Sequence, residues 1–541
     1  MRMTIIAAKD LVIPLARAGG RANWLYLPAL LVAAVMGLPL LYLGVRALSA
    51  GPAIWTWLGR VQTLHLLLRS LGLALAVTFS AIMLAVPLAW LVTRSDLMGR
   101  RFWAMVLPLP LVIPSYVGAY LYVSLLSPHG VIPSLLSTWL PLAKWPSIYG
   151  FGGAWWVLTL MTYPYVYMSV RAVLSMSDRA LEEAARSLGY SPWAVFWRVT
   201  LPLLRPALTS GGLLVALYVL RDFGAVSMLR YTTFTRAIYL HYQSSFDRST
   251  AALLALVLVL VTVILLAVQQ RLDRLKVAVV AHTPRPSPPV RLGKWQVPAL
   301  VLVLIVVGLA LAVPVGGLIY WLVRGVRVGE TLGSLAVPLL NSALAAGLAA
   351  LVTVVAALPL AILAVRQAGR LSRALVGWSH LGFAVPGVVI ALALVFFGAN
   401  FTPALYQTLT LLIVAYMILF LPQALGVLQA ALRLVRRNLE EAAASLGHSP
   451  GQVFWRVTLP LITPGLTSAA GLVCLTTLKE LPATLLLAPP GFPTLATRVW
   501  GAVSEAFFAR AAWPALILVG LSSLSMLWFH HNPYTRNEPT S

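Results

Sequence analysis

The sequence predicts an all-α polytopic membrane protein, with about twelve transmembrane helices arranged as two parallel six-helix repeats. Three observations carry that expectation. Of 541 residues, 60% are hydrophobic and only 10% are charged, whereas soluble domains average about 25% charged. Apolar runs near the ~20 residues needed to cross a hydrocarbon core recur along the chain. One polar stretch also occurs twice. It reads EEAARSLGYSPWAVFWRVTLP at 182–202 and EEAAASLGHSPGQVFWRVTLP at 440–460, and 17 of the 21 positions are identical.

The apolar runs place spans near 25–45, 71–93, 103–126, 153–173, 203–220 and 250–269 in the first half. Those of the second half fall near 297–323, 341–365, 374–397, 404–427, 461–478 and 512–530. Helices are the expected form, because lipid offers no partners to an open backbone. The segment MRMTIIAAKDLVIPLARAGGRANW lacks the order of a cleavable signal peptide and reads as a cytoplasmic tail. With that end inside, 26 of the 39 Lys and Arg residues face the cytoplasm and 13 face out. This is the bias of the positive-inside rule. The net charge of +25 therefore reflects topology and contact with anionic lipid, not nucleic acid. Both termini and both polar stretches then fall on the cytoplasmic side. Between the halves, AHTPRPSPPVRLGK (281–294) is proline-rich and reads as an extended spacer. The expected division is a first half over 1–270, a linker over 271–296 and a second half over 297–541.

The duplication extends beyond the polar stretch. Pro202 matches Pro460, and LRDFGA (220–225) matches LKELPA (478–483), at an offset of 258. Pro87 matches Pro359 and Pro114 matches Pro386 at an offset of 272. The extra 14 residues of the first half fit in the outer loop 127–150. Two halves that each enter and leave on the same side are parallel repeats about an axis along the membrane normal, with a pathway between them.

Within the polar stretch, LEEAARSLG (181–189) has helix formers and ends on Gly189, a helix-stopping residue. Ser191 and Pro192 suit an N-cap and first helical position. WAVFWRVT follows as a second short helix, with Val195, Phe196 and Val199 on one face, and Leu201-Pro202 closes it and starts the fifth span. Gly447, Ser449-Pro450, Val453, Phe454, Val457 and Leu459-Pro460 repeat every step. A loop lying on the membrane surface would carry Lys and Arg on its polar face; this one leads with paired glutamates. The expectation is a rigid helix–turn–helix protruding into the cytoplasm, with Ala184, Ala185, Ala442 and Ala443 permitting close approach and Glu183 and Glu441 offering carboxylates.

This spacing resembles the coupling motif of permease subunits in binding-protein-dependent ABC importers. It is met by Glu183-Ala184-Ala185, Gly189, Val199 and Leu201-Pro202, and again by Glu441-Ala442-Ala443, Gly447, Val457 and Leu459-Pro460. The resemblance covers both halves. It implies the type I importer permease fold and a coupling helix at each motif. It further implies partners: two copies of a cytoplasmic ATPase subunit that bind ATP and Mg, and a periplasmic substrate-binding protein. The chain itself has no G-x-x-x-x-G-K-[ST] loop to cradle phosphates, so no cofactor is expected in it. DFGAVSMLRYTTFTRAIY (222–239) and LKELPATLLLAPPGFPTLATRVW (478–500) resemble segments of fused ferric-iron permeases, which implies Fe(III) as cargo and an iron-binding periplasmic partner. Permeases for thiamine, phosphonates and polyamines share the architecture.

The residues alone leave the pathway open. Asp222 and Glu480 are repeat-equivalent, and acidic residues number only 14. About 29 Å along fifth-span helices at 1.5 Å per residue, they are expected near the outer mouth. There they either receive a cation, as acidic rings do, or pair with Arg221 and Lys479 or cap a helix. Tyr163, Tyr165 and Tyr167 offer phenol oxygens, Tyr163 being the candidate pathway residue, or simply pack. No metal site is assigned; His530-His531 reads as incidental, and Cys474 as a packing residue that leaves no disulfide framework. A secondary transporter would carry ionisable residues deep in its spans, and a membrane enzyme a catalytic constellation. Neither feature is visible.

Overall fold

A computed structural model describes residues 25–49, 60–128, 130–136, 146–177, 180–244, 248–274, 289–331, 333–367, 369–383 and 385–531. The first half contains α1 (Tyr26–Ser49), α2 (Val61–Arg94), α3 (Arg100–Val106), α4 (Ser115–Leu126) and α5 (Phe151–Met176). It continues with α6 (Ala180–Ser187), α7 (Pro192–Arg221), α8 (Gly224–Met228), α9 (Phe234–Ser244) and α10 (Arg248–Arg274). The second half follows the same order with α11 (Gly293–Arg327), α12 (Ala336–Arg366), α13 (Arg370–Ser379), α14 (Gly387–Phe401), α15 (Leu409–Leu434) and α16 (Arg437–Ser445). It ends with α17 (Pro450–Lys479), α18 (Pro482–Leu487), α19 (Leu495–Ser504) and α20 (Phe508–His531).

Among the described residues, nine helices are long and apolar enough to cross a membrane, or ten if one bent pair counts as a span. All twelve expected spans have helical counterparts, but the third of each half is not one straight helix. The chain bends by 91° between Arg100–Val112 and the helix opening at Ser115. In the second half, α13 ends at Ser379 and α14 begins only at Gly387. Pro114 and Pro386 stand immediately before the second pieces, in extended conformation. Proline has no N–H to donate and pushes the preceding residue out of the helical region. Ile113, at ψ 119°, is so displaced. Residues 275–288, which hold over half of the expected linker (271–296) and of its proline-rich spacer (281–294), and the His530-His531 side chains lie outside the described residues.

Each half is a bundle of α2, α5 and α7, or α12, α15 and α17, in mutual contact. Small residues make this possible. Ala74, Val77, Ala81, Ala85 and Ala89 form a buried stripe on α2, and Ala346, Ala349, Thr353, Ala357 and Ala361 form its counterpart on α12. In lipid, where apolar contact with a helix gains little over contact with acyl chains, such stripes let backbones approach. The opposite faces carry exposed Leu75, Phe79, Leu351 and Val355.

The halves also exchange their first helices. α1 packs on α12, α13 and α14 as well as α10, whereas α11 packs on α4 and α20. Hydrogen bonds fasten the exchange. Trp378 Nε1 donates to the Ala33 carbonyl (3.0 Å), Trp321 Nε1 to Ser124 Oγ (2.9 Å) and Tyr122 Oη to the Leu309 carbonyl (2.5 Å).

Candidate functional site

The duplicated stretch folds into the same object twice. α6 ends in a left-handed glycine, Gly189, and α16 in Gly447, both at φ +86°. Tyr190 N–H reaches back to the Ala185 carbonyl and Gly189 N–H to that of Arg186 (3.2 and 2.9 Å), closing the last turn. Ser191 Oγ then accepts from Ala194 N–H, and Ser449 with Gln452 forms a full capping box. The second helix does not stop at Leu201-Pro202 or Leu459-Pro460, contrary to the sequence expectation. It passes through a π turn (Phe196–Thr200, Phe454–Thr458) straight into the fifth span. The wider turn, in which Leu201 N–H reaches the Phe196 carbonyl, sets Pro202 just beyond the irregular step, where its missing N–H costs little.

The paired glutamates divide their labour. Glu182 and Glu440 are half-buried and turn inward. Glu182 Oε1 accepts from Thr200 Oγ1 (3.1 Å), and Glu440 Oε1 from Thr458 Oγ1 (2.9 Å) and Arg366 Nη2 (3.1 Å). Arg366 Nε also lies 2.9 Å from Glu440 Oε2. Glu183 and Glu441 stay exposed. The alanines divide too. Ala184 and Ala442 face solvent, whereas Ala185 and Ala443 are buried against their own chain and present nothing outward. The same two helix–turn–helix elements also expose Leu188 and Leu446, 79% and 81%, with Trp197 and Trp455. Sequence reasoning passed over these large outward apolar side chains, although both pairs are identical in the two copies.

At their other ends α7 and α17 deliver Arg221-Asp222 and Lys479-Glu480 to one cavity of about 250 Å³ between the halves. Pro114, Ser115 and Gly387, at the breaks of both third spans, also line it. Asp222 is 7% exposed. Its Oδ1 accepts from Ala225 and Val226 N–H (2.9 and 3.3 Å) at the start of α8, and Ser115 Oγ, in the first turn of α4, donates to Oδ2. Glu480 Oε1 accepts from Ala483 N–H (3.2 Å) in α18 and lies only 2.5 Å from where a Cβ on Gly387 would stand. Of the roles open to these carboxylates, the structure shows capping. The chain does not leave the protein after Arg221 or Lys479 but turns into short buried helices, and each carboxylate caps one of them. A second cavity, of about 340 Å³, is lined by Arg230, Arg236, Tyr239 and Trp500. Phe223 forms the wall between the two, with its ring 4.7 Å from Tyr239 and 5.4 Å from Trp500.

Residues 77–277 and 353–532 each match the sequence pattern described as binding-protein-dependent transport system inner membrane component. The chain belongs to that family. It is a fused ABC permease, with the family unit present once in each half. It is 37% identical over 510 residues, 93% of this chain and 96% of the relative, to the Fe(3+)-transport system permease protein FbpB 2 of Haemophilus influenzae. Other relatives match about one half. The molybdenum transport system permease protein ModB of Mycobacterium tuberculosis is 30% identical over 243 residues, 44% of this chain and 90% of its own. The sulfate transport system permease protein CysW of Synechocystis is 32% identical over 220 residues, 38% and 78% of the two chains.

In this permease Tyr163 is not at the cavity. It is fully buried and its hydroxyl donates to the Leu107 carbonyl (2.7 Å), at the C-cap of α3, the first piece of the broken third span. Tyr167 is buried likewise. The tyrosines that line the permease cavity are Tyr116, Tyr165 and Tyr218. Alternate positions on a helix face differently, and nothing in an all-apolar span marks the inner face. Among the described residues no cluster of three His, Cys, Asp or Glu could hold a metal ion. Cys474 is free and half-buried.

Proposed function

We propose that this chain is the transmembrane subunit of an ATP-driven importer of Fe(III), with α6 and α16 and the helical turns that follow them as its two coupling elements. The observation that carries this reading is the identical pair of helix–turn–helix tips, each locked inward by one glutamate and presenting the next outward. Two copies of a cytoplasmic ATPase subunit, each binding ATP and Mg, dock there. Glu183 and Glu441 meet donors on the ATPase, Ala184 and Ala442 allow close approach, and Leu188, Leu446, Trp197 and Trp455 supply apolar anchors of the kind that dominate interface energetics. Both termini and both tips lie in the cytoplasm, and an iron-binding periplasmic protein delivers cargo to the opposite face.

Coupling follows from continuity. α7 and α17 each run 30 residues, about 45 Å at 1.5 Å per residue, from docking tip to central cavity. Closure of the ATPase pair moves the tips, and unbroken helices carry the displacement to Arg221-Asp222 and Lys479-Glu480. The cargo assignment rests on similarity to the Fe(3+) permease along nearly the full length of both chains.

Co-purification tests the docking. Glu183→Ala with Glu441→Ala removes one charged contact per tip, at about 2–5 kcal/mol for each buried interfacial pair. The expected result is loss of the ATPase from the membrane complex, or uptake uncoupled from hydrolysis. Full co-purification with unchanged uptake in the double variant contradicts the proposal.

A further inference from the structure

Resting on the reading of this chain as an Fe(III) permease, we infer that the central cavity is an oxyanion site and that iron passes it as a small anionic complex, not as a bare cation. The carboxylates that looked suited to a cation are already engaged by helix N-termini. Asp222 sits between the starts of α8 and α4, with both oxygens bonded. Glu480 sits between the starts of α18 and α14. Helix N-termini carry partial positive charge and hold carboxylates in place.

The bases are placed differently. Arg221 and Lys479 are repeat-equivalent, come from opposite halves and line the same cavity. Lys479 Nζ donates to the Leu111 carbonyl at 3.0 Å, which leaves two of its three protons. Arg221 lies within electrostatic range of Glu480 but makes no hydrogen bond or ion pair among the described residues, so its planar fork of donors remains available. Tyr165 and Tyr218 add phenol hydroxyls to the same wall. Beyond the Phe223 partition, the second cavity again presents bases, Arg230 and Arg236. A bare trivalent cation would meet cationic side chains in both cavities, and the two carboxylates of the central one are already bonded at helix N-termini. Fe(III) wrapped in carboxylate or phosphate oxygens meets complementary charge. At about 250 Å³, the central cavity lies below the ~300–1,000 Å³ of drug-sized ligand pockets. That size suits complexes with small oxyanions better than bulky chelates.

The test uses the full chain in nanodiscs, with labelled inorganic phosphate and labelled citrate as probes, each with and without Fe(III). Saturable binding of at least one probe is expected. Arg221→Gln and Lys479→Gln should each weaken it about tenfold to a hundredfold, the usual worth of a charge-assisted hydrogen bond. Arg221→Lys and Lys479→Arg should restore most of it. Absence of binding to the native chain, or charge-preserving variants as weak as the glutamine ones, overturns the inference. Uptake of ⁵⁵Fe by the reconstituted transporter, run in parallel, separates it from the reading beneath. Iron uptake unaffected by either glutamine substitution leaves the permease assignment standing and removes the oxyanion site. Oxyanion binding without any iron uptake keeps the site and removes the iron assignment.

Discussion

Substituting Glu440 by alanine tests how the docking tip is held. The carboxylate receives Thr458 Oγ1 at 2.9 Å and Arg366 Nη2 at 3.1 Å, with Arg366 Nε at 2.9 Å from its second oxygen. Nε lies off the hydrogen-bonding direction, so it adds charge attraction and Nη2 carries the bond. The two side chains are 18% and 17% exposed. Exposed pairs contribute about 0–1 kcal/mol, and removing one partner of a fully buried pair costs about 3–5 kcal/mol. A pair with roughly one-sixth of its surface exposed falls between them, at about 2 kcal/mol. That corresponds to about a thirtyfold rise in local opening. Arg366 also donates to the Val435 carbonyl (3.1 Å), just before α16, so the loss should spread through the tip and not into α15. Hydrogen exchange of the permease in nanodiscs, followed by mass spectrometry, reads this directly. The amides of 437–447 should lose about thirtyfold protection while those of Leu409–Leu434 remain unchanged. Equal protection in native and Glu440→Ala chains refutes the idea that this latch holds the tip.

Two further outcomes follow from the geometry. Gly189→Ala and Gly447→Ala force a Cβ into a left-handed turn with open space around it. The strain is purely of the backbone, about 1 kcal/mol at each site, and exchange in each turn should rise about fivefold; unchanged exchange contradicts it. Phe223→Ala removes the 2%-exposed ring that separates the two cavities. ATP-independent leakage of ⁵⁵Fe from loaded proteoliposomes should then rise severalfold, and an unchanged leak denies the partition.

Much of the scaffold was legible because it obeys local rules. Apolar length located the spans, the 258-residue offset revealed the repeat, and Gly189 and Ser191 marked the turn by the backbone conformations and caps they favour. What escaped notice depends on contacts between distant segments. Hydropathy averages over a window and therefore reads straight through Pro114, where the chain turns sharply, and Pro386, where the helix is interrupted. Leu201-Pro202 looked like a stop because proline usually ends a helix; the π turn that absorbs it leaves no mark in the composition. Tandem glutamates gave no hint that one would turn inward, since the partners Thr458 and Arg366 stand 18 and 74 residues away. Asp222 and Glu480 were rightly singled out as scarce and equivalent, and capping was among the roles open to them. The helices they cap went unforeseen because α8 and α18 are too short and apolar to announce themselves.

The most direct measurement is ATP-driven accumulation of ⁵⁵Fe(III) in proteoliposomes that hold this permease, its ATPase and its binding protein. Molybdate and sulfate, oxyanions of the elements named in its half-length relatives, serve as alternative cargoes. The account predicts iron accumulation that requires ATP and disappears with Glu183→Ala plus Glu441→Ala, and no ATP-driven accumulation of either alternative. Absence of ATP-dependent iron uptake, or accumulation of molybdate or sulfate in its place, would contradict it.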